Sequence, residues 1–589
     1  MHTDPVDPIL RKRAVAAALG DEPFDVLLTG GTLVDVGCGE LRPADVGVVG
    51  PLVASVHDRG ARSDALDAID CAGLFVAPGF VDVHVHFESS MLTPGAYAAA
   101  VCPRGTTTVF VDPHELANVA GVAGVRYAVE ASRGLPVRFI VQAPSCVPPQ
   151  PGLELSGADL LGPEVVEMLS WDEVGGLAEV MDMLGVLGRD PRMVDVVAAG
   201  LRSGKLVSGH AAGLTGAALQ AYLAAGRTSD HEIFTEPDCL EKLRAGMTVE
   251  LRGMIEAILP DIVSEVNSLP LPPTHLVAAT DDLFALTLLT EGGIDHLLRR
   301  LVANGLDPVV ALRCATYNAA YRLQRADLGL VAAGRRADVA ILSDLRAVRV
   351  EHVLYDGTLV ASGGRMLVDV VEGPSLPPLD TMHLDPLTAD DMLLRVDAPD
   401  GPHRLRVIAE PVMTQWGEAD VEVRDGVVLV PDGHIVQVTV HRHGRVPARP
   451  QAALLSGWGD WTGAVATTVA HDTHNLVVFG RDAAEMALAA NTVIASGGGV
   501  AVVRGSEVLA HVALPIAGIL SPEPAEVVAD VQRAVQDAAI GIGLSPEYLT
   551  QPLFQVMLSS LACLPGPHVT DIGLIDGTTG DIVESALIT

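Results

Sequence analysis

Short apolar runs closed by glycine and aspartate open the chain. Val26-Leu27-Leu28 stops at Gly30-Gly31, Thr32-Leu33-Val34-Asp35-Val36 stops at a glycine turn, and Val46-Gly47-Val48-Val49 follows. Runs of this length between such breakers predict small β-strands. The texture returns between Arg336 and Val368, in Ala337-Asp338-Val339-Ala340-Ile341-Leu342, Val353-Leu354-Tyr355-Asp356-Gly357 and Leu359-Val360-Ala361. The two flanks, residues 1–75 and 330–375, predict one composite β domain.

Between the flanks, in residues 76–329, apolar runs alternate with longer helical stretches. Eight runs read as strands: 80–86, 108–111, 138–142, 174–177, 206–208, 229–233, 247–251 and 276–279. Strands buried on both faces read as continuous apolar runs. Strand–helix alternation over roughly 250 residues predicts a (β/α)8 TIM-type barrel. A linker rich in Pro, Leu and Asp, 372–385, leads to residues 385–589, which predict a further α/β domain with strands at 427–429 and 500–503 and a helix at 524–539. The predicted fold class is therefore α/β, without a repeat of fixed period.

Composition narrows the function. A chain of 589 residues exceeds one compact core, and 49% hydrophobic against 19% charged residues favours packed domains over disorder. Aromatic residues are only 4%, so the core must be built from Val, Leu, Ile and Ala. The formal net charge of −36 and a single short basic run, Arg11-Lys12-Arg13, argue against nucleic acid as a partner, which needs a basic face. Seven scattered cysteines without a C-x-x-C predict no disulfide framework and a reducing, cytoplasmic setting. Residues 1–20 lack the apolar region of a signal peptide, and no apolar run reaches membrane-spanning length, so no membrane partner is expected.

The sharpest chemical signal is Asp82-Val83-His84-Val85-His86. Side chains two apart on a strand point the same way, so His84 and His86 project together. Paired imidazoles suit Zn, Fe or Mn, although a polar patch would also explain them. Glu179, His210, His231 and Asp281 each lie at or just beyond the end of a later predicted strand. Residues there converge on the catalytic mouth of a barrel. Four imidazoles and two carboxylates could hold one or two metal ions.

That order of groups resembles the metal-dependent amidohydrolases, and more closely the adenine deaminase family. The resembling stretches include Pro78-Gly79-Phe80-Val81-Asp82-Val83-His84-Val85-His86, Glu88-Ser89-Ser90-Met91-Leu92-Thr93-Pro94 and Asp112-Pro113-His114-Glu115. Gly209-His210-Ala211, Ser229-Asp230-His231-Glu232, Thr280-Asp281-Asp282 and Val469-Ala470-His471-Asp472-Thr473-His474-Asn475 also match, so the resemblance runs from about Asp25 to the end. It implies His84, His86, Glu179, His210, His231 and Asp281 as ligands of one or two divalent ions (Mn, Fe or Zn, with Mn favoured). Glu179 would stand where many relatives carry a carboxylated lysine between two metals. Asp281 would also handle the proton of the attacking water. Glu179 and Asp281 are the implied catalytic groups, and Glu88, His114 and Glu115 are candidate substrate-binding groups. The implied reaction is hydrolytic deamination of adenine to hypoxanthine and ammonia by metal-activated hydroxide. A homodimer or larger homo-oligomer is also implied.

The loops depart from the family pattern. Arg-Glu-Gly-Ser becomes Arg252-Gly253-Met254-Ile255, and Thr-Asp-Asp-Arg-His-Pro-Asp-Asp becomes Thr280-Asp281-Asp282-Leu283-Phe284-Ala285-Leu286-Thr287. Glu-Gly-His becomes Glu291-Gly292-Gly293. The lost polar groups keep open a different amino-heterocycle as substrate, or a non-catalytic metal-binding relative. His471 and His474 read as structural histidines of the last domain, with a route to the active site as the alternative. Cys102, Cys146 and Cys314 read as buried thiols, Gly497-Gly498-Gly499 as a helix-to-strand turn, and Trp458 and Trp461 as interface packing.

Overall fold

Eight parallel strands carry the site: β1 (Phe80–His86), β2 (Thr106–Val111), β3 (Arg138–Ala143), β4 (Val174–Leu177), β5 (Leu206–Val207), β6 (Ser229–Asp230), β7 (Thr248–Arg252) and β8 (Leu276–Ala279). The structure is a computed structural model that describes residues 6–253, 256–373, 379–547, 549 and 551–588. Met254, Ile255 and part of the 372–385 linker lie outside the described residues. β1 to β5 form one parallel ladder in sequence order, and β6 to β8 form a second. Past β8, Asp281 and Asp282 pair in parallel with Val85 and His86 of β1. The result is a TIM-barrel-type core.

The two ladders meet between β5 and β6, where side chains replace the strand pairing. Thr228 N–H donates to the Val207 carbonyl at 3.2 Å. Beyond that point Gly209 N–H reaches Ser229 Oγ at 3.4 Å, and His210 N–H reaches the Tyr222 hydroxyl at 2.9 Å. Ala211 N–H is held by the Asp230 carboxylate at 2.6 Å. These backbone groups are buried and must be satisfied; polar side chains do it, which is why β5 and β6 are shorter than the apolar runs 206–208 and 229–233 suggest.

Strong caps set the helices between strands. Thr93 accepts from Ala96 N–H at 3.4 Å ahead of Pro94, which starts the helix Pro94–Val101. Asp190 and Pro191 start the helix Pro191–Ser203, and Gly204 ends it in the left-handed region. Its buried face, including Met193, Val196 and Gly200, shows the 3–4 residue spacing of an amphipathic helix. A helix at Pro8–Leu19, capped by Asp7 and Gly20, has the same signals but lacks the apolar stripe that would reveal it in the sequence.

Strands from the two flanks pair in one sheet. The strand Val339–Asp344 runs antiparallel to Phe75–Pro78 within a seven-stranded sheet, and Phe75–Pro78 leads through Gly79 directly into β1. A Cβ on Gly79 would come within 2.4 Å of Thr107 Oγ, so this junction needs glycine. A second sheet of four strands is built from the N-terminal flank alone.

The last region holds a nine-stranded sheet covered by the helices Ala483–Ala495 and Ala525–Ile542. Gly497-Gly498-Gly499 forms the turn from helix to strand, and a Cβ on Gly498 would meet Gly518 Cα at 2.4 Å. One apolar cluster joins this region to the barrel: Val85, Phe87 and Phe284 share it with Val469, Phe479 and Val535. Trp458 and Trp461 belong to that cluster, with Trp458 stacked on Phe479. No helix among the described residues is long and apolar enough to cross a membrane.

Candidate metal centre

Alternation along β1 sends His84 and His86 into the same buried space, where their Nε2 atoms lie 2.9 Å apart. His86 Nδ1 lies 3.0 Å from the Asp112 carbonyl oxygen. A carbonyl only accepts, so Nδ1 donates and Nε2 is the nitrogen turned toward the cluster.

Glu179, two residues past β4, stands between four imidazoles. Its Oε1 lies 3.2 Å from His86 Nε2 and 3.6 Å from His84 Nε2. Its Oε2 lies 2.7 Å from His210 Nδ1 and 3.3 Å from His231 Nε2. Asp281 closes the other side, with Oδ1 at 3.3 Å from Nε2 of both His84 and His86. Asp281 adopts φ 60°, a left-handed conformation that costs a typical L residue roughly 1–2 kcal/mol and that aspartate tolerates better than most. The six residues singled out in the sequence thus meet in one buried cluster.

The remaining candidates line its rim. His114 stacks on His86 at 4.3 Å, and its Nδ1 lies 3.3 Å from Asp112 Oδ2 and 3.5 Å from Glu179 Oε1. Glu115 meets His114 Nε2 at 3.4 Å through Oε1 and also reaches the last domain. His471 Nδ1 lies 2.5 Å from its Oε1, and His474 Nε2 meets its Oε2. The reading of His471 and His474 as histidines internal to the last domain is therefore corrected: both reach a barrel residue beside the centre. Glu88 is buried, with Oε1 at 3.4 Å from Leu116 N–H and Oε2 without a hydrogen-bond partner.

Several positioning groups escaped sequence reasoning. Arg252, at the end of β7, donates to Asp281 Oδ2 and, at 2.6 Å, to Glu232 Oε2. Asp230 ties two ligand loops together: its Oδ1 accepts from Ala211 N–H at 2.6 Å and from Glu232 N–H at 3.2 Å, and its Oδ2 pairs with the buried Lys242 at 2.6 Å. Asp82 accepts from Thr280 N–H at 3.1 Å and Oγ1 at 2.5 Å, fixing β1 against β8. Below the centre, Arg322 pairs with Glu250 at 3.0 Å and donates to Ser208 and Ser229. Asp82, Asp112 and Asp230 sit inside motifs already quoted, which is the signal that could have flagged them. Lys242, Glu250 and Arg322 carry no local signal.

Burial and charge act in opposite directions here. Glu179 and Asp281 stay well below the usual carboxylate range despite burial, because the surrounding imidazoles, and Arg252 for Asp281, favour the anion. Burial, with His231 beside it, pushes His84 down to about 3. Burial raises Asp82 to about 7, and burial together with Glu115 raises Glu88 to about 8. Ionised carboxylates facing four imidazole nitrogens form a nitrogen and oxygen donor set suited to Zn, Mn or Fe. Burial also lifts Cys146 to about 11 and Cys102 and Cys314 to about 12, which makes all three poor nucleophiles.

A cavity of about 240 Å³ opens beside the centre, lined by Gly253, Thr280, Asp282, Leu283, Thr287 and Gly293 among others. Gly253, Leu283, Thr287 and Gly293 are positions at which the sequence departs from the family pattern, and Thr280 and Asp282 are retained.

Comparison with known proteins agrees with this arrangement. The amidohydrolase family model matches residues 75–360, and the adenine deaminase C-terminal domain model matches residues 411–581. An adenine deaminase of Klebsiella pneumoniae is 53% identical over 579 residues, covering 98% of this chain and 96% of that protein. An adenine deaminase 2 of Rhizobium meliloti is 51% identical, covering 99% and 98%. An adenine deaminase of Moorella thermoacetica is 38% identical, covering 96% of both.

Proposed function

The chain belongs to the adenine deaminase family of metal-dependent amidohydrolases, and from this we propose that it hydrolyses adenine to hypoxanthine and ammonia. The observation that carries the reading is the divided carboxylate of Glu179, with Oε1 toward His84 and His86 and Oε2 toward His210 and His231. His84, His86, Glu179, His210, His231 and Asp281 would hold one or two divalent ions there. The family resemblance favours manganese.

A bound divalent ion lowers the pKa of water from 15.7 toward about 7 and so supplies hydroxide at neutral pH. The chain's own groups do the rest. Arg252 occupies Oδ2 of Asp281, which leaves Oδ1 to accept the water proton and return it to the departing amine. General acid–base help of this kind contributes about 10²–10⁴-fold. One water adds across the C–N bond, the oxygen stays on the ring, and ammonia leaves. Burial of the centre excludes bulk water and strengthens each of these contacts. The altered loops line the cavity beside Asp282, where we place the purine.

We also propose a composite β domain of residues 1–75 and 330–375, a metal-dependent hydrolase barrel of 76–329 and a C-terminal adenine-deaminase-like domain of 385–589. Another amino-heterocycle is not favoured, because relatives over the whole length carry adenine deaminase names. A panel of adenine, adenosine, guanine and cytosine tests the substrate by ammonia release. Turnover with adenine well above the others is expected. Turnover confined to another base would overturn the assignment.

A further inference from the structure

The last domain brings two imidazoles to one barrel carboxylate. His471 and His474 stand three apart on a tight turn, and His474 adopts φ 50°, a left-handed conformation costly for histidine. Both rings are buried and converge on Glu115, which the barrel presents in the first turn of the helix His114–Ala120. His471 Nδ1 lies 2.5 Å from Oε1, and His474 Nε2 meets Oε2, so each oxygen faces a different ring. One ligand atom from each residue lies within 4.8 Å of the other two.

This repeats on a smaller scale the relation of Glu179 to its four imidazoles. The charge balance points the same way. Among the described residues, the buried carboxylates Asp112, Glu115 and Glu179 have no lysine or arginine partner, and of this cluster only Asp281 is paired with one, Arg252. Buried carboxylates need a cation or full hydrogen bonding. Two histidines and one carboxylate are a donor set that Mn, Fe and Zn accept, with positions left for water.

We propose that Glu115, His471 and His474 form a further divalent-metal site, separate from the centre at Glu179, that clamps the last domain onto the barrel. The site needs ligands from both regions, so it exists only when they are docked.

The test is metal content of the full-length protein, stripped with chelator, reloaded with Mn(II) alone and counted by inductively coupled plasma mass spectrometry. His474→Gln and His471→Asn/His474→Gln are each expected to hold one equivalent fewer than wild type, and to lose most of the rise in melting temperature that Mn(II) gives. His84→Asn/His86→Asn removes ions at the other centre, so failure there is read separately from failure here. Anomalous difference density collected at the manganese edge on wild-type crystals locates the ion without any variant, with a peak expected between Glu115, His471 and His474. Equal metal content in wild type and His474→Gln, together with no peak at that position, would overturn the proposal and leave a metal-free ion triad.

Discussion

Arg252 holds Asp281 by its Oδ2 oxygen, and that contact leaves Oδ1 turned toward Nε2 of His84 and His86. The guanidinium also bridges to Glu232, next in sequence to the ligand candidate His231. Removing one partner of a buried pair costs about 3–5 kcal/mol because the remaining charge is left uncompensated. Arg252→Met is therefore expected to lower kcat by roughly 10²-fold or more while changing KM little, since Arg252 orients Asp281, the proposed proton acceptor. Lysine cannot reproduce the forked geometry, so Arg252→Lys recovers only part of the loss. Steady-state kinetics on metal-counted protein checks this; a change confined to KM would contradict it.

Asp230 acts one layer further out. It fixes the loops of His210 and His231 through Ala211 N–H, Glu232 N–H and Lys242. Partners of this kind typically contribute about 10–100-fold in metal affinity. Asp230→Ala is expected to weaken Mn(II) binding by that factor, read from a competition titration against a fluorescent chelator. Unchanged affinity would remove Asp230 from the ligand support.

The polar layer beneath the centre is a stability device. Arg322 neutralises Glu250 inside the barrel and also satisfies Ser208 and Ser229. Arg322→Met leaves the buried Glu250 with only His231 Nδ1 at 4.0 Å opposite it, and a loss of about 3–5 kcal/mol is expected by urea denaturation. The double variant Arg322→Met/Glu250→Gln should recover a large part of it. If the double variant is no better than the single one, the charge argument fails and packing explains the loss.

His443 gives a pH dependence. Burial, with Arg442 and His441 beside it, holds His443 well below its ordinary value. The folded chain thus keeps this ring neutral at pH values where the unfolded chain protonates it, near 6.5. Its contribution is fully present above that value and falls as pH drops toward the folded value, by up to about 1.4 kcal/mol per pH unit. His443→Gln keeps a donor for the Thr473 carbonyl, which His443 Nε2 meets at 2.7 Å, and removes the titration. Urea midpoints at pH 7.5 and 5.5 in the presence of chelator should converge for the variant more than for wild type. An equal acid shift in both would locate the pH sensitivity elsewhere.

How far the sequence carried depends on where each signal lives. His84 and His86 are legible because a strand's period of two is written in five consecutive letters. Glu179, His210, His231 and Asp281 became legible through their order at strand ends, and β4 and β8 have the bounds that the apolar runs mark. The reach of His471 and His474 to Glu115 was not, because it depends on how the last domain docks. Nor were the truncated β5 and β6, where Ser229, Tyr222 and Asp230 take over backbone groups that a ladder would otherwise satisfy. Arg252 was visible only as the surviving letter of an altered motif; its role needed the three-dimensional partner Asp281.

The central claim is metal-dependent deamination of adenine at the Glu179 centre, and reconstitution tests it most directly. Apoprotein prepared with chelator would be titrated with Mn(II) while hypoxanthine formation from adenine is followed. No activity without metal, and activity that rises with added Mn(II) in wild type but not in Glu179→Ala, is the predicted result. Full activity in apoprotein proven free of metal, or undiminished turnover in Glu179→Ala, would contradict the account.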